Sequence, residues 1–215
     1  MQAIDRTAIE TVGIPRLLLM EHAGLAVARE ARRLLPDVTM PIVICCGSGF
    51  NGGDGLAAAR HLTLWNYPVR LVLTDAADRL REEPAIYARI TRWLGLPLAE
   101  LTAPAALTQA EQWLAACGLV VDALLGIGAR GAVREPAASL IDRMNACGKP
   151  ILSVDIPSGL EADEGQVLGV AVKATVTVTF GVPKRGCLVA AGPAHTGRLV
   201  VDPITMPRVV LEGHK

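Results

Sequence analysis

The chain has 215 residues, 51% of them apolar, and its 21 basic and 21 acidic side chains cancel to a formal net charge of zero. This composition excludes a disordered chain and a general nucleic-acid binder, and no apolar run reaches the roughly eighteen residues of a membrane span. The length suits one α/β domain spanning 1–215. No signal-type segment follows Met1, and the five cysteines contain no C-x-x-C pair, so they read as buried reduced thiols of a cytoplasmic protein rather than a zinc site.

Residues 1–36 form a helical segment. Leu17, Leu18, Leu19, Met20, Ala23, Ala26 and Val27 recur at helical spacing, Pro15 suits a helix start, and Pro36 ends it. Pro41 to Ile44 reads as a short buried strand. Cys45 to Gly55 follows, a glycine-rich turn leading into a helix over Leu56–Leu62. Glycines clustered between a strand and a helix mark backbone that approaches something closely, at a place where free N–H groups and the helix dipole favour an anion. Val69 to Leu73 is a second strand, and 80–95 an amphipathic helix with Ile86, Ile90, Trp93 and Leu94 on one side. Leu96 to Thr108 reads as a connection, followed by a helix through Trp113. Leu119 to Leu124 is the third strand, Arg134 to Cys147 a helix and Pro150 to Asp155 the fourth strand. Further β-structure is expected over Ala174–Phe180, Cys187–Ala190 and Arg198–Val201. Alternating strands and helices imply a three-layer, doubly wound, mostly parallel sheet of Rossmann-like type, with ligands at the carboxyl ends of the strands.

Three polar groups fall at such ends: Asn51 after the first strand, Asp122 ending the third and Asp155 ending the fourth. Apolar strands need no charge there, although either acid would also serve as a cap on the following loop. Oxygen-rich groups without clustered His or Cys suit a hard cation, and so few carboxylates suit a monovalent one. A second glycine-rich turn, Gly126-Ile127-Gly128-Ala129-Arg130-Gly131-Ala132, carries a guanidinium that fits phosphate or is simply a solvated charge. Gly47-x-Gly49-x-x-Gly52 also matches the dinucleotide-binding pattern, with Asp75 about where a ribose-binding acid would sit. That match leaves open an NAD-dependent oxidoreductase. A non-catalytic nucleotide-sensing or interaction module of the same fold is a further alternative.

The longer string Gly-x-Gly-x-Asn-Gly-Gly-Asp-Gly resembles the YjeF N-terminal domain, the NAD(P)H-hydrate epimerase family. So do Leu-Met-Glu-His22-Ala-Gly, Val-Asp122-Ala-Leu-Leu-Gly-Ile-Gly, Val-Asp155-Ile-Pro-Ser158-Gly-Leu, Thr179-Phe-Gly-Val-Pro-Lys184-Arg-Gly and Gly192-Pro-Ala-His-Thr-Gly197. The resemblance implies interconversion of the R and S forms of hydrated NADH and NADPH, a homodimer, and a fused or separate dehydratase as functional partner. It implies potassium held by Asn51, Asp122 and Ser158. It implies substrate lined by Phe50, Asn51, Gly52, Gly53 and Asp54, by Gly126 to Ala132, and by Asp155. Asp155 is the first candidate for the acid/base role and Asp54 the second; Lys184 reads as a surface or backbone-anchoring residue. Phe50 departs from the family pattern, which usually carries Asn there, and its side chain can neither donate nor accept a hydrogen bond.

Overall fold

The computed structural model describes residues 2–213. Seven strands form one sheet in the order β3-β2-β1-β4-β5-β6-β7, and every pairing is parallel. They are β1 (Ile42–Cys46), β2 (Val69–Leu73), β3 (Leu98–Glu100), β4 (Leu119–Ala123), β5 (Ile151–Val154), β6 (Val176–Phe180) and β7 (Arg198–Asp202). The central strands β1, β4, β5 and β6 are buried along their whole length, as near-continuous apolar runs require when helices cover both faces.

On one face lie α2 (Arg16–Leu34), α3 (Phe50–Leu64) and α4 (Glu82–Trp93), packed over Ile42, Ile44, Val121 and Val154. On the other lie α5 (Pro104–Ala116) and α6 (Ala137–Ala146), packed over Val43, Cys45, Val72 and Val120. The helices α2 and α3 touch backbone to backbone. A Cβ added at Gly24 would lie 2.5 Å from Ala57 Cβ and 2.8 Å from the Ala58 nitrogen.

Several boundaries differ from the expectation. Residues 2–35 are not one helix: α1 (Gln2–Arg6) runs into a π-helical turn at Thr7–Thr11, and the chain bends before α2. The expected connection after Leu96 contains the edge strand β3, only three residues long. Cys187–Ala190 is not a strand; its first residue closes a 3₁₀ turn, Arg185–Cys187. In α4 the buried residues are Pro84, Tyr87, Ala88 and Thr91, and Trp93 is 85% exposed. The helix after β1 begins at Phe50, so the polar end of the glycine-rich string is helical.

From β1 the chain winds outward through β2 to β3, then returns to place β4 on the other side of β1. Two crossovers that leave neighbouring strands in opposite directions open a crevice at their carboxyl ends. The Gly47–Asn51 turn after β1 and the Leu124–Ala129 turn after β4 lie on either side of it.

Candidate functional site

Both turns depend on the absence of side chains at two glycines. A Cβ on Gly47 would sit 1.9 Å from the Leu124 carbonyl oxygen, and one on Gly52 would sit 1.9 Å from the Gly47 carbonyl oxygen. The two turns can therefore close on each other only with hydrogen at these places. Gly47 N–H also donates to Ala123 O at 2.9 Å, which fixes the first turn to the end of β4.

The crevice opens into a cavity of about 810 Å³. Its walls include Gly47 to Asn51 and Asp54 from the first turn and α3, Leu124 to Ala129 from the second, and Asp155, Phe180 and Lys184 beyond β5 and β6. Asn51, Asp54 and Asp155 thus share one space with Phe50, Gly126, Ile127, Gly128 and Ala129. Gly52 and Gly53 are buried behind the lining. Arg130, Gly131 and Ala132 lie outside it. The Arg130 guanidinium donates to Ile127 O at 3.0 Å and Ala129 O at 2.8 Å, so it braces its own turn. Asp75 and His22 are outside the lining too; Asp75 Oδ1 accepts from Ala76 N at 2.8 Å and from Arg79 at 3.2 Å.

Asp155 is held with unusual firmness. Its backbone takes φ +66°, a left-handed conformation that a non-glycine residue adopts at a cost of about 1–3 kcal/mol and that clusters at functional sites. Its Oδ1 accepts from Phe180 N at 3.1 Å and from the Lys184 ammonium, which also donates to Phe180 O at 2.8 Å. Lys184 is only 5% exposed, so the surface reading is corrected, while its anchoring of the backbone holds. Asp54 is the contrasting acid. Burial pushes its carboxyl well above the usual carboxylate range, with the negative charges of Asp155 and Asp5 adding to the rise and Lys184 opposing it.

Asp122 and Ser158 lie beneath the cavity, fully buried and bonded to each other. Ser158 Oγ donates to Asp122 Oδ1, Ser158 N to Oδ2 at 2.9 Å, and Ser153 Oγ to Oδ2 at 2.8 Å. Leu125 N donates to Ser158 Oγ at 2.8 Å, and Asn51 Nδ2 donates to Leu125 O at 3.1 Å. This leaves Asn51 Oδ1 buried without a hydrogen-bond partner.

Residues from the N-terminal segment were not anticipated. Asp5, Arg6, Ile9 and Glu10 form one wall of the cavity, with Arg16 at the start of α2. Ile4 and Ala8 hold that segment in the core. Nothing in the spacing of these polar residues sets them apart from a solvated helix face; only the fold brings them over the strand ends.

Residues 16–186 match the family described as YjeF-related protein N-terminus. The chain belongs to this family. A bifunctional NAD(P)H-hydrate repair enzyme from Pyrobaculum aerophilum is 44% identical over 209 residues, which cover 96% of this chain and 41% of that protein. An NAD(P)H-hydrate epimerase from Limosilactobacillus fermentum is 39% identical over 201 residues, covering 94% of this chain and 92% of that one. The crystal structure of the yeast protein ynu0 superposes with a TM-score of 0.77 at 25% identity, over 90% of this chain and 82% of that chain. The chain spans about 41% of the length of the bifunctional relative. The wall formed by Asp5 to Glu10 lies outside the span that the family match covers.

Proposed function

We propose that this chain interconverts the R and S epimers of hydrated NADH and NADPH. The observation that carries the reading is two carboxyls in one cavity walled by the two glycine turns: Asp54, which burial pushes up, and Asp155, which is ion-paired with Lys184. The names of the two repair-enzyme relatives support it.

Inversion at C6 of the hydrated ring requires its hydroxyl to leave and return on the other face. Asp54, favoured in its protonated form, gives its proton to the departing hydroxyl, which leaves as water. The ring nitrogen's electron pair forms the iminium, and the surrounding carboxylates balance its positive charge. Asp155, whose Oδ1 is ion-paired with the Lys184 ammonium, takes the proton of the water that adds to the opposite face. The two acids exchange roles when the reaction runs in reverse, as groups with divergent environments can.

Potassium fits the donor set. Asn51 Oδ1 is buried and orphaned, and the Asn51 amide shares the Leu125 carbonyl with Ser158 Oγ, which is bonded to Asp122, all oxygen donors suited to a hard monovalent ion. Asn51, Asp122 and Ser158 would hold it, and the ion would supply a fixed positive charge that ties the two turns together. A homodimer, a dehydratase acting on the S epimer and a cytoplasmic location complete the proposal, on the resemblance. Among the described residues, no helix is long and apolar enough to cross a membrane.

The test is chromatography of purified R epimer with the wild-type chain. Appearance of S at a rate above the spontaneous one is expected, and Asp155→Asn should slow it roughly a hundredfold or more. No acceleration by the wild type would overturn the proposal.

A further inference from the structure

Phe50 is the first residue of α3, where it lines the cavity and is 45% exposed. Packing does not explain it. Asn51, Gly52 and Gly53 next to it are buried, whereas the ring of Phe50 is left at the opening. Nor is the ring loose. The Arg16 guanidinium carbon lies 4.5 Å from its centroid, and Arg16 is itself tied by an ion pair to Glu82 at 3.2 Å, with Glu83 at 3.8 Å. Three segments, the starts of α2, α3 and α4, thus hold one aromatic ring against a cation at the mouth of the site.

We infer that Phe50, backed by Arg16, is a stacking platform for the adenine base of the dinucleotide. The inference rests on the proposed function and adds a specificity-determining pair to it. The chemistry of the ligand decides which of its planar groups belongs there. Reduction has already taken the aromaticity of the nicotinamide ring and hydration makes its C6 tetrahedral as well, so that ring offers no flat π face, and it must reach the buried acids to react. The adenine keeps its full π face. Aromatic side chains and Arg guanidinium planes are the groups that stack on unpaired bases, and a ring with only two side-chain torsions gives up little entropy on binding. Arg16 needs no phosphate partner in this arrangement, because Glu82 already neutralises it.

The experiment compares wild type, Phe50→Ala, Phe50→Trp and Arg16→Ala on hydrated NADH and on hydrated reduced nicotinamide mononucleotide, which lacks the adenosine. In parallel, calorimetry measures AMP binding to each protein. Phe50→Ala is expected to lower the ratio of kcat/KM for dinucleotide over mononucleotide by about tenfold, and to weaken AMP binding by a similar factor. Phe50→Trp should restore both, and Arg16→Ala should give an intermediate loss. An unchanged ratio with unchanged AMP binding in Phe50→Ala overturns the inference while leaving the epimerase proposal intact. A wild type that turns over neither substrate overturns the epimerase proposal, and the AMP comparison still decides whether the platform exists.

Discussion

Asp122 accepts hydrogen bonds from the Ser153 and Ser158 hydroxyls and from the backbone N–H groups of Ser158 and Leu124, the last at 3.3 Å. All of this is buried. Asp122→Ala strands several donors, each costing about 1–3 kcal/mol, so a loss on the order of 3 kcal/mol is expected as a lower urea midpoint with unchanged slope. The ion proposal needs a cleaner probe, and Asn51 provides it. Potassium chloride should raise the wild-type melting temperature more than sodium chloride at equal ionic strength, and Asn51→Ala should abolish the difference. Asp54 gives a pH prediction. Its folded carboxyl titrates above its unfolded value, so its contribution to stability is present at low pH and is lost as pH rises through the folded pKa. Asp54→Asn should therefore melt close to wild type near pH 4 and above it at pH 8, by a margin that grows with pH. Single residues show well how legible the site was. Asn51 and Asp155 were visible because a polar side chain at the end of an apolar strand has no packing reason to be there. Lys184 was not, because one lysine in a Pro-Lys-Arg-Gly turn looks solvated until β6 sets it against Asp155.

At the scale of elements, strands were readable where both faces are buried, because β1, β4 and β5 are short apolar runs with little else to be. The edge strand β3 escaped notice: three residues, Leu98-Ala99-Glu100, give no periodicity, and it is the pairing with Leu71–Leu73 that makes them a strand. In α4 the largest side chains suggested the buried face, yet the helix turns Tyr87 inward, where its hydroxyl donates to Glu21 at 2.7 Å. Glu21 also pairs with Arg60 of α3, so the face that α4 buries carries a polar network as well as apolar contacts. The N-terminal segment, α1 and the following π-helical turn, is an element with a functional prediction of its own. Removing residues 1–11 takes Asp5, Arg6, Ile9 and Glu10 from the cavity wall. The proposed epimerisation should fall more than tenfold, by the loss of water exclusion and of substrate positioning, while far-UV circular dichroism keeps its α/β signature.

Over the whole molecule, the winding order β3-β2-β1-β4-β5-β6-β7 places the crevice; the alternation of strands and helices in the sequence implies a site at the carboxyl ends of parallel strands but not this order. Its dimensions are another matter. Arg16 on α2 meets Phe50 on α3 at the opening, with Asp54 one turn further along α3, and the spacing between these helices is set where Gly24 meets Ala57 and Ala58. Gly24→Ala would act as a wedge at a residue that is itself outside the cavity lining. The added methyl has nowhere to go between two backbones, so α2 and α3 must part and the contact between Arg16 and Phe50 at the opening must loosen. The expected sign is a KM that rises for the dinucleotide with only a modest drop in melting temperature, read by steady-state kinetics beside differential scanning calorimetry. A single hydrogen atom at position 24 thereby serves as the calliper of a binding site it never touches.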